Sequence, residues 1–78
     1  MLRQLRKMRH LTQLELAEKI NYNKSYISKL EKGNYKNVTI TTIVDLAIGL
    51  EVNYLIVAAI FIMEELKRRK EKNRLAKY

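Results

Sequence analysis

Residues 11–34 read LTQLELAEKINYNKSYISKLEKGN, and both ends of two successive helices are written in their side chains. Thr12 followed by Glu15 is a capping-box pair, in which each side chain satisfies the other residue's free backbone N–H. Leu14, Ala17 and Ile20 then fall at spacing three as the expected buried side of a helix. Asn21 can take the left-handed conformation that closes a helix, a position most often given to glycine. Two residues on, Asn23 is a cap for a further helix expected over 24–32. Ile27 and Leu30 are its inward residues, and Gly33 ends it.

Working outward, Leu2, Leu5, Met8 and Leu11 recur at spacing three and predict a first helix near 2–9, with a stripe turned inward. Thr39 is positioned to cap a fourth helix over about 40–49, whose apolar set is Ile40, Ile43, Val44, Ala47 and Leu50. Asn53 caps a fifth that starts at Tyr54 and runs toward or beyond residue 70. The Thr–Ile alternation over 38–43 would also suit a short strand. No partner strand is available elsewhere, however, and an isolated strand is not viable, so the segment reads as a cap followed by a helix. The absence of proline and the presence of only 2 glycines favour helices joined by short turns. The expected fold is all-α with five helices.

The 78 residues allow one core and leave too little wall for a deep substrate cleft. With 16 Lys+Arg against 8 Asp+Glu the net charge is +8, and the pI near 9.9 points to a polyanionic partner. There is no cysteine, hence no disulfide framework or thiolate metal site. With His10 as the single histidine, a histidine-based triad or zinc cluster is excluded within the chain. No metal, cofactor or enzymatic activity is expected, since no cluster of titratable groups falls where a pocket could form. Residues 1–9 carry charge throughout and lack the apolar core of a signal peptide. The longest apolar run, residues 54–63, is half the roughly 20 residues a membrane span requires, and a cytoplasmic location is expected.

Charge is unevenly placed: a basic front over 1–36, an apolar middle with only Asp45 and Glu51 charged, and a basic tail from 64 onward. The second and third helices are joined by about three residues (Asn21, Tyr22, Asn23). The later of the two is poor in apolar residues and rich in short polar and cationic ones, which is the layout of a helix-turn-helix. The stretch quoted above resembles the Cro/repressor-type (XRE) helix-turn-helix regulators. The shared features are the Thr-Gln start, the Leu-Ala-Glu-Lys-Ile body, the Tyr-Ile-Ser-Lys-Leu-Glu core and the closing Lys-Gly, and the likeness extends through VTITTIVDLAIGLEVN to cover residues 1–57. Asn21 departs from the usual glycine, the 34–37 loop is one residue longer, and Val38 stands where proline is common.

The resemblance implies a five-helix, lambda-repressor-like domain that binds double-stranded DNA. Lys24, Ser25, Ser28 and Lys29 then match base-facing positions. Lysine can donate to guanine O6 and N7, and serine suits either kind of base edge; the alternative for each lysine is a phosphate contact or a solvated charge. Gln13, at a helix N-terminus, resembles a phosphate-binding glutamine. Asn23, Lys32, Asn34, Tyr35 and Lys36 are expected to add backbone contacts, which position a protein without reading sequence. Tyr26 suits a thymine methyl, a phosphate, or simple packing at the domain boundary. Arg6 and Glu31 match an internal ion pair. His10 falls in the bend between the first two helices, as an exposed loop residue or a pH-sensitive group.

The fifth helix is apolar on all sides over 54–63, and such a helix must be covered all round. A second copy is the expected cover, in a two-fold dimer using Leu55, Val57, Ala58, Phe61, Ile62 and Leu66. The division is therefore a DNA-binding unit over 1–57 and a dimerisation helix and basic tail over 54–78. The tail either contacts DNA or is a solvated end. The function expected is a repressor that binds a palindromic operator as a homodimer. The competing readings are an antitoxin-like module whose fifth helix binds a different protein, and a peripheral membrane binder.

Overall fold

The computed structural model describes residues 1–75, with side chains through residue 72. Among the described residues there are five helices and no strand: α1 (Leu2–Met8), α2 (Gln13–Ile20), α3 (Lys24–Lys32), α4 (Ile40–Leu50) and α5 (Tyr54–Leu75). Residues 76–78 of the expected basic tail lie outside the described residues.

The helix ends follow the local chemistry. The Glu15 N–H donates to Thr12 Oγ1 at 3.0 Å while the Thr12 N–H donates to Glu15 Oε1 at 2.8 Å, closing the capping box. Asn21 ends α2 at φ 60°, a conformation that asparagine tolerates better than most residues. Asn23 Oδ1 accepts from the Ser25 N–H at 2.8 Å to start α3. Gly33 ends α3 at φ 75°, where a β-carbon would be strained. Thr39 Oγ1 accepts from the Thr42 N–H at 3.1 Å at the start of α4, and Asn53 Oδ1 accepts from the Leu55 N–H at 2.7 Å at the start of α5.

All five helices share one core, in which Leu2, Leu16, Ile27, Leu30, Leu46, Leu50 and Val57 are fully buried. Burying a side chain of this size contributes about 1.5–3 kcal/mol. The phase of three helices differs from the spacing-three reading. In α2 the inward residue is Leu16, and Leu14 is half exposed, because the inner stripe runs Gln13, Leu16, Ala17, Ile20 and begins with a polar residue. In α1 the inner stripe holds buried Arg6, and Met8 is exposed. In α4 Leu46 and Thr42 turn inward, while Ile40, Val44 and Ile48 face outward.

Helices α2 and α4 touch at Gly49. A β-carbon there would stand 2.5 Å from Ile20 Cγ2 and 2.8 Å from Leu16 Cδ1. Polar contacts reinforce the same region. The Tyr22 hydroxyl donates to Asp45 Oδ2 at 2.6 Å, and burial together with that carboxylate raises the phenol pKa. Arg9 Nε donates to the Leu50 carbonyl at 2.9 Å, satisfying an acceptor left open at the end of α4.

Candidate nucleic-acid interface

Helix α3 buries Ile27 and Leu30, which leaves Lys24, Ser25, Ser28, Lys29 and Lys32 along its outer side. An open concavity of about 390 Å³ is lined by Gln13, Lys24, Ser25, Ser28, Lys29, Lys32 and Asn34. All four residues expected to face bases are thus brought together with three of those expected to contact backbone. Lys24, Ser25, Lys29, Lys32 and Asn34 are exposed, as is Lys36 in the following loop.

The position of α3 is set by a buried ion pair. Arg6 Nε donates to Glu31 Oε2 at 2.5 Å and Arg6 Nη2 to Glu31 Oε1 at 3.2 Å, a bidentate arrangement. Arg6 Nη1 donates to the Leu11 carbonyl at 2.7 Å. Both side chains are more than nine-tenths buried. Burial alone would raise the Glu31 pKa, but hydrogen bonds from Arg6 and Gln13 and the positive charges of Arg6 and Arg3 hold it below the usual carboxylate value. Gln13 Nε2 donates to Glu31 Oε1 at 3.0 Å. One amide N–H of Gln13 is therefore engaged inside the protein, and the second remains for an outside acceptor.

The remaining candidates are placed less uniformly. Asn23 is exposed, with its carbonyl oxygen engaged as the α3 cap. Tyr26 is half buried, its ring centroid 5.8 Å from that of Tyr22, and it packs on the core. The Tyr35 hydroxyl donates to Glu64 Oε1 at 2.8 Å. Its ring meets Phe61 edge-on with centroids 5.7 Å apart, and the Arg68 guanidinium lies 4.5 Å above it. Burial and the Glu64 carboxylate push the phenol pKa up to about 12. Tyr35 is thereby bound to α5, not presented to solvent as a free donor. His10 is exposed and adopts φ 60°.

Of the residues expected at a dimer interface, Val57 and Phe61 are buried in the chain's own core, where they hold α5 on the domain and cannot meet a second copy. Ala58 is half-buried, whereas Leu55, Ile62 and Leu66 are 63%, 57% and 60% exposed. Sequence reasoning missed the outer stripe of α4, Ile40, Val44 and Ile48, where Ile40 is 79% exposed. Their spacing of four was the available signal. Among the described residues no group of histidine, cysteine and carboxylate side chains could hold a metal, and no helix is long and apolar enough to cross a membrane.

These features define a helix-turn-helix domain, and the helix-turn-helix family profile matches residues 2–56. The chain belongs to that family. It is similar to an immunity repressor protein of Bacillus phage phi105, with 38% identity over 63 residues, covering 78% of this chain and 43% of the phage protein. The chain thus spans less than half the length of that curated relative. No solved structure matches it.

Proposed function

We propose that this protein is a sequence-specific DNA-binding repressor that inserts α3 into the major groove. The observation that carries the reading is the single concave face uniting Gln13 at the start of α2 with Lys24, Ser25, Ser28 and Lys29 of α3. The major groove, about 12 Å wide, admits one helix with its side chains. Lys24, Ser25, Ser28 and Lys29 meet base edges, while Gln13, Asn23, Lys32, Asn34 and Lys36 hold the phosphates on either side. Likeness to an immunity repressor supports repression by occupancy of an operator.

One reading helix spans few base pairs. Two copies related by a dyad would read a palindrome with half-sites one helical turn, about 10–10.5 bp, apart. The outward apolar residues Leu55, Ile62 and Leu66 on one face of α5 support self-association there. That same surface also favours a second reading, in which a different protein covers it and the chain acts as an antitoxin-like module.

Selection of binding sites from a random duplex pool, followed by titration at several salt concentrations, tests the proposal. The expected result is an enriched near-palindrome bound at least about 10³-fold tighter than random DNA. Weak binding with steep salt dependence and no enriched sequence would contradict it and favour the protein-partner reading.

A further inference from the structure

Helix α1 ends in a turn that carries a side chain where glycine is usual. The Leu11 N–H donates to the Arg6 carbonyl at 3.2 Å and the His10 N–H to the Lys7 carbonyl at 3.0 Å, the paired bonds of a Schellman motif. His10 holds the left-handed position of that motif, at φ 60°, where a β-carbon is disfavoured. Lys7 and His10 line one open concavity of about 510 Å³ together with Gln13 and Lys24. Gln13 and Lys24 also line the α3 concavity. The two concavities thus share an edge, and the end of α1 borders the face proposed to meet DNA.

The charges at this corner are uncommitted. Elsewhere cations already hold an acceptor: Arg9 and Lys19 meet Glu51, Arg68 Nη2 donates to the Gly33 carbonyl at 3.3 Å, and Arg69 meets Glu65. Among the described residues no carboxylate lines the α1 concavity, and none pairs with Lys7 or Lys24. Glu15, at the start of α2, accepts from the Thr12 N–H, and Glu31 is taken by Arg6 and Gln13. Two ammonium groups, an imidazole and an amide donor without a counter-charge suit an anion whose charges recur along a line. On one DNA strand a charge recurs about every 3.4 Å of helix axis. The helix that precedes a reading helix crosses that backbone, which is the place of α2 and of the α1 turn before it.

We infer that Lys7 and His10 form a phosphate-binding corner at the end of α1, which holds the DNA backbone beyond Gln13 while α3 occupies the groove. Lys7 neutralises a phosphate, and the His10 imidazole donates an N–H to the same strand. This rests on the DNA-binding reading above.

Three variants of the full chain test the inference: Lys7→Gln, His10→Gly, and Lys19→Gln, a charge-matched control outside both concavities. Each is titrated on the selected operator and on a random duplex across a salt series, with melting followed by circular dichroism. Lys7→Gln is expected to bind both duplexes more weakly. Its slope of log Kd on log salt becomes shallower by roughly 0.9 for each phosphate no longer neutralised, whereas Lys19→Gln keeps the original slope. His10→Gly is expected to weaken both complexes roughly 2- to 12-fold, the range of one hydrogen bond. Its Tm should equal or exceed that of the unaltered protein, because glycine adopts a positive φ freely. Weaker binding by a protein that melts no lower does not come from damage to the fold.

Unchanged affinity and slope in Lys7→Gln and His10→Gly overturn the inference. An equal change in Lys19→Gln overturns it too, by reducing the effect to net charge. So does a loss confined to the operator, since phosphate contacts carry no sequence information. In each of these cases the DNA-binding reading stands, because the unaltered protein still holds its operator. If the unaltered protein binds neither duplex, the DNA-binding reading itself falls, and the inference with it.

Discussion

Helices α3 and α5 each leave a face uncovered, and the two faces differ in kind. That of α3 is polar and cationic, with Lys24, Ser25, Ser28 and Lys29 stable in water as they stand, and its backbone is fixed by Asn23, Gly33 and the Arg6–Glu31 pair. That of α5 carries Leu55, Ile62 and Leu66, apolar groups over half exposed. The first face needs a ligand only to function, so it can be rigid beforehand. The second gains free energy whenever another surface covers it, so it is the place to look for assembly.

The largest expected effect comes from unfastening α3. Glu31→Ala leaves the guanidinium of Arg6, a residue 7% exposed, without its partner, and should cost about 3–5 kcal/mol in urea denaturation. Retention of near-normal stability would mean that the pair does not hold α3 in place. The same carboxyl supplies a pH signature. Its folded pKa lies below the ordinary 4.5, so the pair's contribution is complete above that value and is lost as pH falls through the folded pKa. The acid limb of the stability curve should flatten in Glu31→Gln.

Next in size is Gly49→Ala, which drives a methyl group into Ile20 and Leu16. Overpacking of this kind costs about 1–3 kcal/mol and should appear as a lowered Tm, sharpening the claim that α2 is seated on α4. On α5 the expected pattern inverts. Ile62→Ser/Leu66→Ser should leave monomer stability within about 0.5 kcal/mol per site while weakening self-association at least about tenfold, as judged by sedimentation. Equal damage to fold and assembly would erase the distinction between the two helices. A last effect, confined to alkaline pH, concerns Tyr35. Its phenol pKa rises from 10.0 to about 12 on folding, so its contribution is full below pH 10 and falls as pH climbs toward 12. Tyr35→Phe should abolish that alkaline decline.

The helix ends were legible because caps are local: Thr12 with Glu15, Asn21, Asn23, Gly33, Thr39 and Asn53 each act within a few residues. The face of each helix was harder to read wherever a polar residue belongs to the buried side. Gln13 and Arg6 turn inward because Glu31 receives both, and a spacing rule that counts only apolar residues shifts to Leu14 and Met8 instead. Helix α4 has apolar residues on more than one side, so periodicity alone could not tell Leu46 from Val44. The contacts of Tyr22 with Asp45, Arg9 with Leu50, and Tyr35 with Glu64 and Arg68 join residues distant in sequence and leave no local signal. For the site, the row on α3 was readable because one side of a short helix is almost devoid of apolar groups. The docking of α5 against Gly33 and Tyr35 was not, since it depends on where a 22-residue helix points.

The most direct measurement is the affinity of Lys29→Ala for the selected operator and for a random duplex at one salt concentration. If α3 reads bases, the operator complex should weaken by about 1–3 kcal/mol, roughly 5- to 150-fold, with little change on the random duplex. An equal loss on both duplexes would reduce Lys29 to a backbone contact and contradict the placing of α3 as the reading helix.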